Sequence, residues 1–178
     1  DKIEYLKNVQ LIVERRRLEE LEYLFKHALV QEVTYESILL KKRKELHVRV
    51  AKAFEAVFPE RLSEFYGMLA YHYSYGENLE KAEEYLVKAG EEALKAAAST
   101  EALHYYQEAL KLYLKKHGDA GDPQAIAHME LNIAKAFLNK GHMEEAVQHF
   151  DRVLEIWGEK RPKSKIISLA YFLSLIHI

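Results

Sequence analysis

The residues best equipped for chemistry fall in two places. Between positions 23 and 51, "YLFKHALVQEVTYESILLKKRKELHVRVA" gathers His27, His47, Tyr35, several glutamates and the run Lys41, Lys42, Arg43, Lys44. Such a set could move protons, sense a nucleotide or hold a polyanion. Later, "HMEEAVQH" sets His142 and His149 beside Glu144 and Glu145. On a helix, seven positions amount to two turns, about 10 Å, which is too far for one metal ion, and the spacing is not that of a metalloprotease. His27 and His47 lack the third partner that a catalytic constellation requires. Both read as structural residues, His27 at a helix start and His47 on the helix after it. No cysteine occurs, which excludes disulfides, thiolate catalysis and thiolate zinc sites. No catalytic residue, metal site or cofactor is expected.

A second basic group, Arg15, Arg16 and Arg17, suits the wing of a DNA-binding domain, with Lys41, Lys42, Arg43 and Lys44 widening the basic patch. The charge balance argues against it. Residues 1–60 hold twelve basic and eleven acidic side chains, and the whole chain carries 26 basic against 28 acidic, a net charge of -2. A polyanion binder should show a clear basic excess. Nucleic acid is therefore not the expected partner; a solvated face or a dock for a neighbouring domain is.

The elements that must position these residues are mostly helices. Only three prolines and seven glycines interrupt 178 residues, and Ala, Leu, Glu and Lys dominate. The beginning differs. Val9 to Val13 and Leu21 to Phe25 form two short apolar runs, with Leu21, Tyr23 and Phe25 at period two. They predict a β-hairpin with the three arginines near its tip, leaning on Ile3 to Leu6 and on the helical residues from Ala28 onward. Leu29, Val30 and Val33 predict a short helix. Ser37 or Thr34 is then placed to cap a longer one, ending near Phe58 before Pro59. Further helices are expected near 62–75, 79–97, 99–116, 123–140, 143–158 and 162–177, with Asp122 and Pro123 starting the fourth of these.

These helices repeat a pattern. "KAEEYLVKA", "EALHYYQEA" and "EAVQHFDRV" carry the triplets Ala82/Leu86/Ala89, Ala102/Tyr106/Ala109 and Ala146/Phe150/Val153. In each, a large side chain fills a neighbour's groove and small ones let helix backbones approach. Leu69, Ala70 and Tyr73 precede the first triplet, and Ile133, Ala134 and Phe137, with a turn at Gly141, precede the third. This spacing resembles the 34-residue tetratricopeptide repeat, in frames 63–96 and 127–160. The middle triplet comes only 20 residues after the first, so one helix near 79–97 is expected to serve two neighbours. Most of the twelve tyrosines then fall at packing positions rather than on a base-stacking platform.

Phe25, His27, Ala28, Leu29, Gln31, Glu32, Tyr35, Glu36, Ser37, Arg43, Leu46, His47 and Ala51 carry a further resemblance, over about residues 5 to 60. The stretch is similar to the segment behind the ATPase module of class III adenylate/guanylate cyclases and related predicted ATPases. That resemblance implies the end of a winged-helix domain over 1–60 and a tetratricopeptide-like array of helical hairpins over 61–178. The chain has no Gly-rich phosphate loop and no Walker-type lysine, so a parent's cyclase or ATPase activity would lie outside it. The expected role is a non-catalytic, cytoplasmic regulatory scaffold that binds a protein or peptide, or the parent's own ATPase domain. Carried over from the repeat, the groove positions are Glu64, Tyr71 and Tyr75, then His128, Leu131, Lys135, Leu138 and Asn139. The first rival is a DNA-binding transcriptional activator with Arg15–Arg17 as its wing; an enzyme built on the histidines is the second.

No stretch of about 18 or more uncharged apolar residues occurs, so no membrane partner is expected. The chain starts at Asp1 without Met and stops at Ile178 in an apolar run, and a piece of a longer protein is expected. The apolar face of Ile166, Ile167, Leu169, Leu173 and Ile176 would need cover, from a further repeat or by self-association.

Overall fold

A computed structural model describes residues 1–17 and 20–159. The expected helix over 162–177 and its apolar face lie outside them. The described chain is mostly helical, with one two-stranded antiparallel sheet. It divides into two compact units, one up to Leu46 and one from His47 onward, with the division falling inside one helix.

The first unit begins with α1 (Lys2–Asn8), capped by the Asp1 carboxylate, which accepts from the Ile3 amide at 3.1 Å. Strands β1 (Ile12–Arg17) and β2 (Glu20–Phe25) form the hairpin, and α2 (Ala28–Ser37) comes next. The arginines occupy the last three positions of β1, next to the tip of the hairpin as expected. Register pairs Ile12 with Phe25, Arg15 with Glu22, Arg16 with Leu21 and Arg17 with Glu20. Ile12 is the only buried residue described in this unit. Tyr23 and Phe25, which share one face at period two, stay about as exposed as Leu24 between them.

Neither Ser37 nor Thr34 caps the next helix. Thr34 lies within α2 and Ser37 closes it, its hydroxyl donating to the Thr34 carbonyl at 2.7 Å. A serine at a helix end can turn its proton back onto the preceding turn instead of accepting from the next one. Helix α3 (Leu40–Val57) then crosses from the first unit into the second.

In the second unit a 3-10 segment, Pro59–Phe65, leads into α4 (Tyr66–Tyr75), α5 (Leu79–Lys95), α6 (Ser99–His117), α7 (Pro123–Asn139) and α8 (Met143–Trp157). Each of these helices packs on the next, so α5 lies against both α4 and α6. All nine side chains of the three triplets are buried. The largest cluster joins Ala51 of α3 with Leu69, Tyr73, Ala82, Tyr85, Tyr106, Tyr113 and Ile133. A second gathers Leu131, Ala134, Ala146, Phe150, Val153 and Leu154 between α7 and α8. Asp122 caps α7, accepting from the Gln124 amide at 3.0 Å, with Pro123 in the first turn.

One turn recurs. After α4, α5 and α7 the second residue beyond the helix takes positive φ: Glu77 (56°), Ala97 (57°) and Gly141 (78°). The next amide reaches back to the same helical position each time, Asn78 to Tyr73, Ala98 to Ala93 and His142 to Phe137, at 2.8–3.0 Å. This is the Schellman closure, which satisfies carbonyls that a helix end would leave bare. Its left-handed position suits glycine, yet only one of the three has it, because an L side chain there costs roughly 1 kcal/mol and the closure tolerates that. Ala97→Gly is therefore expected to stabilise the chain by about 0.5–1 kcal/mol, read as an upward shift in thermal unfolding.

Candidate functional site

Among the described residues of the second unit, the face of α4 carries two exposed aromatic side chains, Tyr71 and Tyr75. Tyr71 and Tyr75 sit one turn apart, half-exposed, with ring centroids 4.5 Å from each other. His47 of α3 lies beneath them, stacked on Tyr75 at 5.2 Å and edge-on to Tyr71 at 5.7 Å. Its Nδ1 is 2.9 Å from Nδ1 of His72, the α4 residue beside Tyr71. Burial lowers the His47 pKa; burial and then the His47 charge lower that of His72. The sequence points to Tyr71, Tyr75 and His47, but not to His72 as the partner that ties them together. Glu64 stands apart from this group. It lies in the 3-10 segment and is bound by the Arg61 guanidinium at 2.8 Å, whose hydrogen bond lowers its pKa.

The α7 positions separate by burial. Leu131 is inside the second cluster, 8% exposed, and offers little surface to a ligand. Leu138 packs partly against the same cluster, and Asn139 is exposed at the helix end. His128 is tied to Asn132, whose amide donates to the His128 carbonyl at 3.0 Å and lies 3.2 Å from its Nε2. Lys135 is half-buried and has no ion pair or hydrogen bond among the described residues; burial alone lowers its pKa.

Two polar groups escaped the sequence reading. Glu130 of α7 is 5% exposed and bonds to His149 of α8, with Arg152 at 3.4 Å, while His149 stacks on Phe137. His142 instead faces Glu145 at 3.5 Å, so the two histidines have different carboxylate partners although both stack on Phe137. Glu55 of α3 accepts from two buried phenols, Tyr73 at 2.7 Å and Tyr85 at 2.5 Å. A carboxylate one helix away gives no periodic signal, so neither contact was readable from spacing.

Several residues of the basic patch have partners within their own unit. Arg15 faces Glu22 across the strands, and Lys42 pairs with Glu45 at 2.8 Å. Arg43 donates to the Ile38 carbonyl at 2.9 Å and lies over the Tyr35 ring, joining the end of α2 to the start of α3. Lys41 is exposed and Lys44 half-buried. His27 sits at the N-cap of α2 without a side-chain cap bond. Among the described residues, no group of three or more His, Asp or Glu gathers to hold a metal ion, and no helix is long and apolar enough to cross a membrane. No protein-family model, curated protein or solved structure matches the chain.

Proposed function

We propose that the chain is a non-catalytic interaction scaffold: the end of a winged-helix domain and then a tetratricopeptide-like array, regulating a larger signalling ATPase or adenylate/guanylate cyclase. It binds a peptide or a neighbouring domain along the α4 and α7 faces, through Tyr71, Tyr75, His128, Lys135 and Asn139. The observation that carries this reading is the repetition of one unit of packing. Three small–large–small triplets are buried where successive helices meet, and the same Schellman turn closes α4, α5 and α7. Stacked units of that kind present a continuous surface for a partner. Exposed Tyr5, Leu24, Leu29 and Val33 in the first unit support a neighbouring domain as one such partner.

The transcriptional-activator reading has less support. Arg15 lies opposite Glu22 in the hairpin register, which offsets part of the charge a wing would bring to phosphate. Duplex DNA binding that survives physiological salt and is lost in the triple Arg15→Ala, Arg16→Ala, Arg17→Ala chain would replace the scaffold reading with that one.

The scaffold is tested by selecting peptides from a random library on the 178-residue chain. Binders should lose about tenfold or more in affinity on Tyr71→Ser. Lys135 adds a separate prediction. An unpaired, half-buried lysine weakens the fold, because the native state solvates its charge poorly. Lys135→Met should raise the melting temperature while weakening peptides that carry a carboxylate. A peptide set indifferent to both substitutions would remove these faces as the binding surface.

A further inference from the structure

Helices α3 and α4 meet through His47 and His72, with their Nδ1 atoms 2.9 Å apart. At that distance one nitrogen must donate a proton and the other accept it. His47 is 7% exposed, and its ring also supports Tyr75 and Tyr71. One imidazole thus touches both the partner histidine and the underside of the exposed tyrosine patch. We propose that the His47–His72 pair is a proton-operated latch at the α3–α4 contact: it fixes Tyr71 and Tyr75, and acidification releases it.

The latch works by proton count. In the neutral pair one Nδ1–H points at one Nδ1 lone pair. A first added proton leaves that geometry intact, since an imidazolium can donate to a neutral ring. A second puts N–H on both facing atoms, removes the acceptor and sets two cations against each other. Burial opposes charging from the outset, and it lowers the pKa of each ring. From α4, the rings of Tyr71 and Tyr75 face the pair. Along α3, Arg43 and Lys44 precede His47 by four and three positions. Glu45 pairs with Lys42.

Both rings have pKa values below the usual 6.5 when latched. The contribution of the latch is complete above 6.5 and is lost as the pH falls through 6.5 toward the lower latched values, because the released rings take up protons first. Below 6.5 the ratio of released to latched chains should grow by about tenfold per pH unit where the latched pair already holds one proton, and about a hundredfold where it holds none. Because α3 carries the chain from one compact unit into the next, the latch acts on the connecting helix. The proposal does not rest on the scaffold reading, although release would also alter the proposed binding face.

Histidine and tyrosine side-chain NMR of the 178-residue chain, from about pH 8 to about pH 5, tests it. His47 and His72 should titrate below 6.5 in two separated steps, and the Tyr71 and Tyr75 ring signals should shift with the second. Two independent titrations near 6.5, or tyrosine rings that stay put while both imidazoles charge, would overturn the latch. His72→Gln supplies the second arm. Its amide can donate to a neutral His47 and accept from a charged one, so the contact should persist and the acid shift of the tyrosines should vanish. Tyrosine signals that still move with acid in His72→Gln would likewise overturn it.

Discussion

Replacing Glu55 with alanine is expected to cost about 2–4 kcal/mol of folding stability, the largest single effect of a polar substitution in this chain. The hydroxyls of Tyr73 and Tyr85 are buried, and both donate to that one carboxylate. A hydrogen bond to a charged acceptor contributes roughly 1.5–3 kcal/mol, and two that share an acceptor sum to less than twice that. The two rings stack within 1° of parallel at 5.7 Å, so they present their hydroxyls side by side and cannot turn apart without breaking the cluster. Burial, reinforced by the bond to Glu55, raises both phenol pKa values well above the usual tyrosine range; the hydroxyls remain donors at any ordinary pH. Thermal unfolding should fall on the order of 10 °C. Glu55→Gln should fall less, since the amide oxygen can still accept one bond. The decisive comparison is made in a chain that carries Tyr73→Phe and Tyr85→Phe, where Glu55→Ala should cost little. If its cost is the same with and without the hydroxyls, the carboxylate is not what they are buried against.

Glu55 also marks where reading a sequence stops. The helices of the second unit were legible because apolar residues recur every three to four positions. The starts and ends of α5, α6, α7 and α8 fall within a few residues of the spans so derived. Asp122 and Pro123 announced α7 through capping chemistry that is local to the sequence. What periodicity cannot give is which polar groups meet across helices. His47 and His72 lie 25 positions apart, Glu55 and Tyr85 30, Glu130 and His149 19. The hairpin was legible as two strands with the arginines near its tip, but not its register, which sets Arg15 opposite Glu22 within the ladder. Ser37 failed for a different reason, because a hydroxyl both donates and accepts and composition does not say which. The Schellman turns were visible only at Gly141; Glu77 and Ala97 hide the same backbone behind residues that ordinarily avoid it.

Enlarging the small residues between helices should be nearly as damaging as removing Glu55, and it probes the packing on which the scaffold reading depends. Ala82 and Ala146 are completely enclosed, 0% and 1% exposed, so Ala82→Phe or Ala146→Phe must push two helices apart at a cost of about 1–3 kcal/mol. Gly90 is the sharper case. A Cβ there would lie 2.7 Å from Cε2 and 2.8 Å from Cδ2 of the Tyr106 ring, and Tyr106 is fully buried with no room to retreat. Two effects of opposite sign compete in Gly90→Ala. Helix propensity favours alanine by roughly 1 kcal/mol, while the overlap with a fixed aromatic ring costs roughly 1–3 kcal/mol, so a net loss is expected. Shrinking the ring should reverse the balance: in a Tyr106→Val background, Gly90→Ala should stabilise by about 1 kcal/mol. The Tyr106 hydroxyl has no hydrogen-bond partner among the described residues, so what that position supplies is ring volume, and Tyr106→Phe is the control that should leave the Gly90→Ala loss unchanged. Alanine at position 90 that stabilises with the tyrosine in place, or bulky residues at 82 and 146 that leave melting unaltered, would mean that α5 does not approach α6 closely and that small side chains do not set the spacing of the array.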